Sequence, residues 1–117
     1  MKKIILLLFL SLVGLSTQAQ EPLKMKAKNK KVELKVAGNC DICKKRIEKA
    51  AYSVKGVKSA KWDANLGSIF MIIDESKCSV PDIAKAVAGV GHDTELAKAK
   101  DEAYNNLHSC CQYKRVK

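Results

Sequence analysis

Aromatic residues are scarce in this 117-residue chain: one Trp, three Tyr and two Phe, none of them interleaved with the abundant lysines. A net charge of +10 would suit nucleic acid, but the stacking platforms of single-strand binders are missing, so nucleic acid is not an expected partner. Long apolar runs are missing too. The longest, residues 4–15, is about 12 residues where a membrane span needs roughly 20. No cysteine stands near residue 19, which argues against a lipid-anchored exported protein, and no internal repeat is visible. No nucleophile and base constellation stands out either, so enzymatic turnover is not expected. Cysteine is present in an odd number, five, which leaves at least one thiol outside any set of bridges.

What is there begins with a basic pair, Lys2 and Lys3, then the apolar run, then Thr17-Gln18-Ala19. That order is a secretory leader with cleavage expected after Ala19. The protein is therefore expected to be exported, to a periplasm or to the medium. Removing 19 of 117 residues leaves 98, enough for one small domain with a self-sufficient core. The cysteines, all beyond the leader at 40, 43, 78, 110 and 111, then read as chemistry more than as structural staples. Without Lys2 and Lys3 the net charge is still +8, which would steer an acidic partner.

Residues 20–31 are lysine-rich with little apolar periodicity and read as a flexible basic arm. Val32, Leu34 and Val36 alternate with polar residues, the period of a half-buried strand. From Cys43 the spacing changes to Ile47, Ala50, Ala51 and Val54, a helix stripe ending near Gly56. Residues 57–63 and 68–73 read as a hairpin around Asn65-Leu66-Gly67, in which Trp62, Phe70 and Met71 are sheet residues. Ser79-Val80-Pro81-Asp82 opens a second helix with a hydroxyl cap and an early proline; Ile83, Ala84, Val87 and Ala88 form its stripe. Residues 93–97 form a last strand, and 98–107 return to helical composition. The order strand, helix, strand, strand, helix, strand predicts an α+β fold: a ferredoxin-like βαββαβ sandwich with a four-stranded antiparallel sheet covered on one face by two helices, plus a short helical C-terminal extension. This topology puts His92 near residues 40–43 and Cys78 at the opposite end.

Cys40-Asp41-Ile42-Cys43 is the focus. Two thiols three residues apart at a strand-to-helix junction suit a soft ion such as Cu(I), bound with few ligands so that a partner thiol can enter. The positive helix end and Lys44, Lys45 and Arg46 favour the thiolate. A redox pair is the competing reading, since thioredoxin-like enzymes also use Cys-x-x-Cys. Their Trp-Cys-Gly-Pro-Cys context is absent, and neither Pro22 nor Pro81 enters a strand.

Val36 to Cys43, followed by a helix, Gly56-Val57, a hairpin and Gly91-His92-Asp93, resembles the heavy-metal-associated domain of copper chaperones, copper ATPase amino-terminal modules and periplasmic mercury-binding proteins. The resemblance spans residues 32–97. It implies Cys40 and Cys43 as metal ligands, with Cu(I) the first expectation and Hg(II), Zn(II) and Cd(II) the others. It also implies a metal-transporting membrane protein or another metal-binding domain, with an acidic docking face, as partner. The protein would act as a monomer or as a dimer bridged by the ion. One departure is Gly38, which stands where the family has a methionine beneath the loop, so that brace is expected to be missing.

His92 is a candidate third ligand, at a position where similar domains carry an aromatic, lysine or histidine side chain. Residues 98–117 lie beyond the resemblance. Cys110 and Cys111 could form a second soft-metal site with His108, reach back to the first site, or pair with Cys78. Zn(II) usually takes four ligands, which Cys40, Cys43 and His92 do not fill.

Overall fold

The structure, a computed structural model, describes residues 29–115, so the expected leader and most of the arm lie outside the described residues. β1 (Lys30–Lys35) leads to α1 (Asp41–Tyr52), β2 (Val57–Asp63), β3 (Ser68–Ile73) and α2 (Val80–Gly89). A short α3 (Asp101–Asn105) and a 3-10 turn (Ser109–Cys111) follow. The strands form an antiparallel sheet in the order β1-β3-β2, with Leu34 opposite Ile69 and Ile69 opposite Trp62. This is the expected ferredoxin-like core. No helix among the described residues is long and apolar enough to cross a membrane.

Alternation decides which face is covered. Leu34, Ala60, Trp62, Ile69, Met71 and Ile73 all point to one side and are buried, while Phe70 on the other side is exposed. The buried face meets Ile47, Ala50 and Ala51 of α1 and Ile83, Ala84 and Val87 of α2. The chain reverses between β2 and β3 because the Asp63 carboxylate accepts from the amides of Asn65 and Leu66, and Gly67 takes φ +64°. Ser79 caps α2 as the sequence indicates. Its hydroxyl accepts from the Asp82 amide, and the Asp82 carboxylate accepts from the Ser79 amide.

Three expectations are corrected. β1 begins at Lys30, two residues inside the expected arm, because Ile72 and Ile73 on β3 offer it partners. The fourth strand shrinks to one bridge, Val36 to Thr94. Ala37 and Lys35 do bond across to Asp93 and Glu95, but the Thr94 hydroxyl accepts from the amides of Leu96 and Ala97 and turns the chain away. The C-terminal helix is five residues and not ten, since the Ala99 amide bonds to the Asp93 carboxylate and its carbonyl to Arg115, holding 98–100 extended.

The brace missing at Gly38 is supplied from another strand. Trp62 is 2% exposed and lies under the loop, its indole N–H donating to the Val36 carbonyl at 3.0 Å. A Cβ on Gly38 would sit 3.0 Å from the Trp62 ring and 3.2 Å from Cβ of Cys43, so only glycine leaves the indole its place. We expect Trp62→Ala to lower stability by about 3–5 kcal/mol, read as a fall in the urea midpoint followed by circular dichroism; a loss below about 1 kcal/mol would mean that the loop does not rest on the indole.

Candidate metal centre

β1 delivers the chain to Val36 and Ala37, and α1 starts at Asp41, so Asn39 and Cys40 form the tight link between them. Cys40 is the N-cap residue of α1, in extended backbone, and Cys43 lies in the first turn. The two sulfurs are 3.5 Å apart. Cys40 is half-buried and Cys43 fully buried, with the Asn39 amide donating to the Cys43 sulfur at 3.3 Å. Lys44 is not free to meet a partner, because it pairs with Glu48 at 2.7 Å and donates to the Trp62 carbonyl. Lys45 and Lys49 stay exposed beside Ile42.

The C-terminal segment comes back over this loop. Cys110 Sγ lies 3.0 Å and Cys111 Sγ 3.6 Å from Cys40 Sγ, and the sulfurs of Cys40, Cys110 and Cys111 all lie within 4.8 Å of one another. Of the three courses open to the tail, it takes the one that reaches the first site. His108 is exposed and lies outside this group. Cys78 packs by Gly56 and Asp74 near the end of β3.

Residues that periodicity did not single out hold the tail. Tyr113, 3% exposed, donates to the Gly91 carbonyl and accepts from the Asp93 amide, both at 2.8 Å. Arg115 grips the Asp93 carboxylate with two nitrogens at 2.9–3.0 Å and reaches Asp101 with a third. Asn39 donates to the Cys110 carbonyl at 3.3 Å. Gly91, at φ +108°, lets this happen, since a Cβ there would lie 2.9 Å from the Ala103 carbonyl and from Leu107. Burial alone would raise the Asp93 pKa, but Arg115 and the Ala99 amide hold it below the usual carboxylate range. Burial pushes the Tyr113 hydroxyl up to about 12, so it remains a donor.

His92 sits apart from the thiol group. It is fully buried, stacked on Tyr113 at 5.6 Å, with Nδ1 donating to the Ala37 carbonyl at 2.8 Å. Its Nε2 has no hydrogen-bond partner among the described residues. The ring pins the backbone that leads into the loop and does not join the sulfurs. Burial lowers its pKa, with the Ala37 bond opposing.

The thiols share their protons unequally. The Cys110 thiol donates to Cys40 and, against the effect of burial and with help from the Cys43 backbone, brings the Cys40 pKa down to about 6. Its neighbours move the other way: Cys110 is raised chiefly by its bond to Cys40, and Cys111 is raised strongly by burial. At neutral pH Cys40 is a thiolate held between thiols, an ordinary ligand set for a soft cation.

An α+β sandwich with a Cys-x-x-Cys pair at its strand-to-helix junction, Cys40 half-buried and Cys43 buried beside it, defines a small soft-metal-binding domain. The chain belongs to the heavy-metal-associated domain family. It is similar to a CopZ metallochaperone at 30% identity and TM-score 0.54, over 56% of this chain and 98% of that one. It is also similar to oxidized MerP from Ralstonia metallidurans CH34 (28% identity, TM-score 0.54, 57% of this chain and 94% of that one). A third likeness is to the copper chaperone of Enterococcus hirae in its apo form (30% identity, TM-score 0.51, 54% of this chain and 94% of that one). Neither a protein-family model nor a curated protein matches the chain by sequence.

Two outcomes test the electrostatics. Alkylation of Cys40 by iodoacetamide, followed by mass spectrometry, should rise through a midpoint near pH 6 and shift upward toward the ordinary 9.0 in Cys110→Ala; an unmoved midpoint would remove Cys110 as the cause. Because the folded protein disfavours protonated His92, the unfolded chain binds more protons below its own pKa of about 6.5. Stability of the reduced apoprotein should therefore fall as pH drops from 7 to 5; the lowered Cys40 pKa adds to the fall down to about pH 6, so in a Cys40→Ala background His92→Phe should flatten what remains, carboxylates such as Asp93 acting only at lower pH.

Proposed function

We propose that the protein is an exported carrier of Cu(I), taking the ion at Cys40 and Cys43 and passing it on by thiolate exchange. The observation that carries this reading is the solvent-reachable Cys40 thiolate, 3.5 Å from Cys43 at the start of α1, in a domain similar to copper chaperones. Each exchange swaps one sulfur–metal bond for another, so the ion moves without ever being free and without change of oxidation state. The partner would be a metal-transporting membrane protein or another metal-binding domain. Exposed Lys45 and Lys49 beside Ile42 offer it a basic rim that an acidic face would match. Export rests on the composition of residues 1–19. Hg(II) is the second reading, supported by the likeness to MerP.

Anaerobic titration of the reduced protein with Cu(I) against a chelator tests this. One ion should bind tightly and binding should be lost in Cys40→Ser/Cys43→Ser. Failure to compete for Cu(I) with retention of Hg(II) would replace copper by mercury. Catalytic reduction of insulin disulfides would replace the carrier by a thiol oxidoreductase.

A further inference from the structure

We propose that Cys110 and Cys111 are ligands of the same soft ion as Cys40, so that the C-terminal tail completes a three-thiolate site. This rests on the reading of Cys40 and Cys43 as a metal-binding pair: with the tail docked, Cys110 and Cys111 bind beside Cys40, and the fully buried Cys43 becomes the second ligand only where the tail sulfurs are removed or displaced. Metal–sulfur bonds near 2.3 Å set ligand sulfurs about 3.8–4.0 Å apart in tetrahedral or trigonal sites. Cys40 Sγ has neighbours at 3.0 Å and 3.6 Å in the tail, and the three sulfurs fit within 4.8 Å. A small shift opens the group to the size of a bound ion.

The placement is built and not a chance contact. The 3-10 turn, closed by the Cys111 amide donating to the His108 carbonyl, turns two adjacent cysteines toward one point. Cys111 is fully buried against the core, Cys110 faces solvent, and Cys40 lies between. On the far side the Tyr113 and Arg115 bonds to Gly91, Asp93 and Asp101 lock the turn to the domain. On the near side Asn39, the residue before Cys40, holds the Cys110 carbonyl.

Loading forms three S–metal bonds, at Cys40, Cys110 and Cys111, the protons carried by those sulfurs going to solvent, and the oxidation state of the ion does not change. A third sulfur raises retention, and an incoming partner thiol then displaces a tail sulfur before it meets Cys40. The chain would hold its ion closed in solution and open only at a partner.

X-ray absorption at the copper edge of the Cu(I)-loaded, reduced protein, with Cys110→Ser/Cys111→Ser beside it, reads the coordination directly. Three sulfurs are expected in the parent and two in the variant, with affinity for Cu(I) lower by about tenfold or more in the variant. Arg115→Ala, which frees the tail and leaves every thiol in place, should move the count in the same direction. Two sulfurs in the parent would overturn the proposal while leaving the loop site standing. Three sulfurs that persist in Cys110→Ser/Cys111→Ser would overturn it as well and assign the third ligand to a second chain. Loss of Cu(I) binding altogether, in the parent, would instead sink the loop reading on which this one rests.

Discussion

The loop that carries Cys40 and Cys43 stands on one indole. Trp62 donates from Nε1 to the Val36 carbonyl and fills the space where a side chain at Gly38 would sit, so strand β2 fixes the approach of β1 to the loop. Beside it, His92 on the Ala37 carbonyl, the Ala37 amide on Asp93, the Asn39 amide on Cys43 and the tail on Asn39 hold the chain between Val36 and Asp41. A pair of sulfurs that is to accept an ion at a set spacing needs such a floor, because a misplacement of about 1 Å exceeds the roughly 0.2–0.5 Å that a metal site tolerates. Lys44 extends the same support outward, since its bond to the Trp62 carbonyl and its pair with Glu48 tie α1 to the edge of β2.

A second layer hangs from Asp93. Its carboxylate receives Arg115 and the Ala99 amide, and its own amide donates to Tyr113. The salt bridge is partly buried and bidentate, the geometry in which an ion pair contributes more than the near-zero value of exposed pairs. Tyr104 and Tyr113 meet edge to face at 5.0 Å with the Arg115 guanidinium over Tyr104, so the tail is welded by aromatic and charged contacts at once. The scarce aromatics are thus concentrated where the chain needs rigid, hydrogen-bonding side chains: one under the loop and two behind the tail.

Much of this was legible in the sequence. The period-2 run ending at Val36, the period-3.6 run from Cys43, the Ser79 cap and the Asn65-Leu66-Gly67 turn lead to the sandwich because each is a local signal that the core then reinforces. The short fourth strand was not legible, since Thr94 has strand propensity yet spends its hydroxyl on its own backbone. Trp62 read as a sheet residue, and nothing in a strand pattern says that it replaces a side chain missing at Gly38. The latch was hidden for a similar reason. Tyr113 and Arg115 follow the Cys-Cys pair without periodicity, and their partners stand 22 residues upstream. The one available signal was compositional: an aromatic and an arginine beside two cysteines, in a chain whose other basic residues are nearly all lysine.

Cys40 is the sulfur with the lowered pKa and also the one that lies within 3.6 Å of each of the other three, which makes it the centre of the thiol group. Cys43 and Cys111 are fully buried and fixed by the core, whereas Cys110 is exposed on a turn held by hydrogen bonds and ion pairs. In the proposed exchange an incoming thiolate would meet Cys110 first, at the edge where Asn39 and the turn meet, and would have to loosen polar contacts that water can replace. The apolar floor under Cys40 and Cys43 stays packed throughout. On that proposal capture would rest with the half of the site packed in the core, and release with the half that polar bonds hold in place.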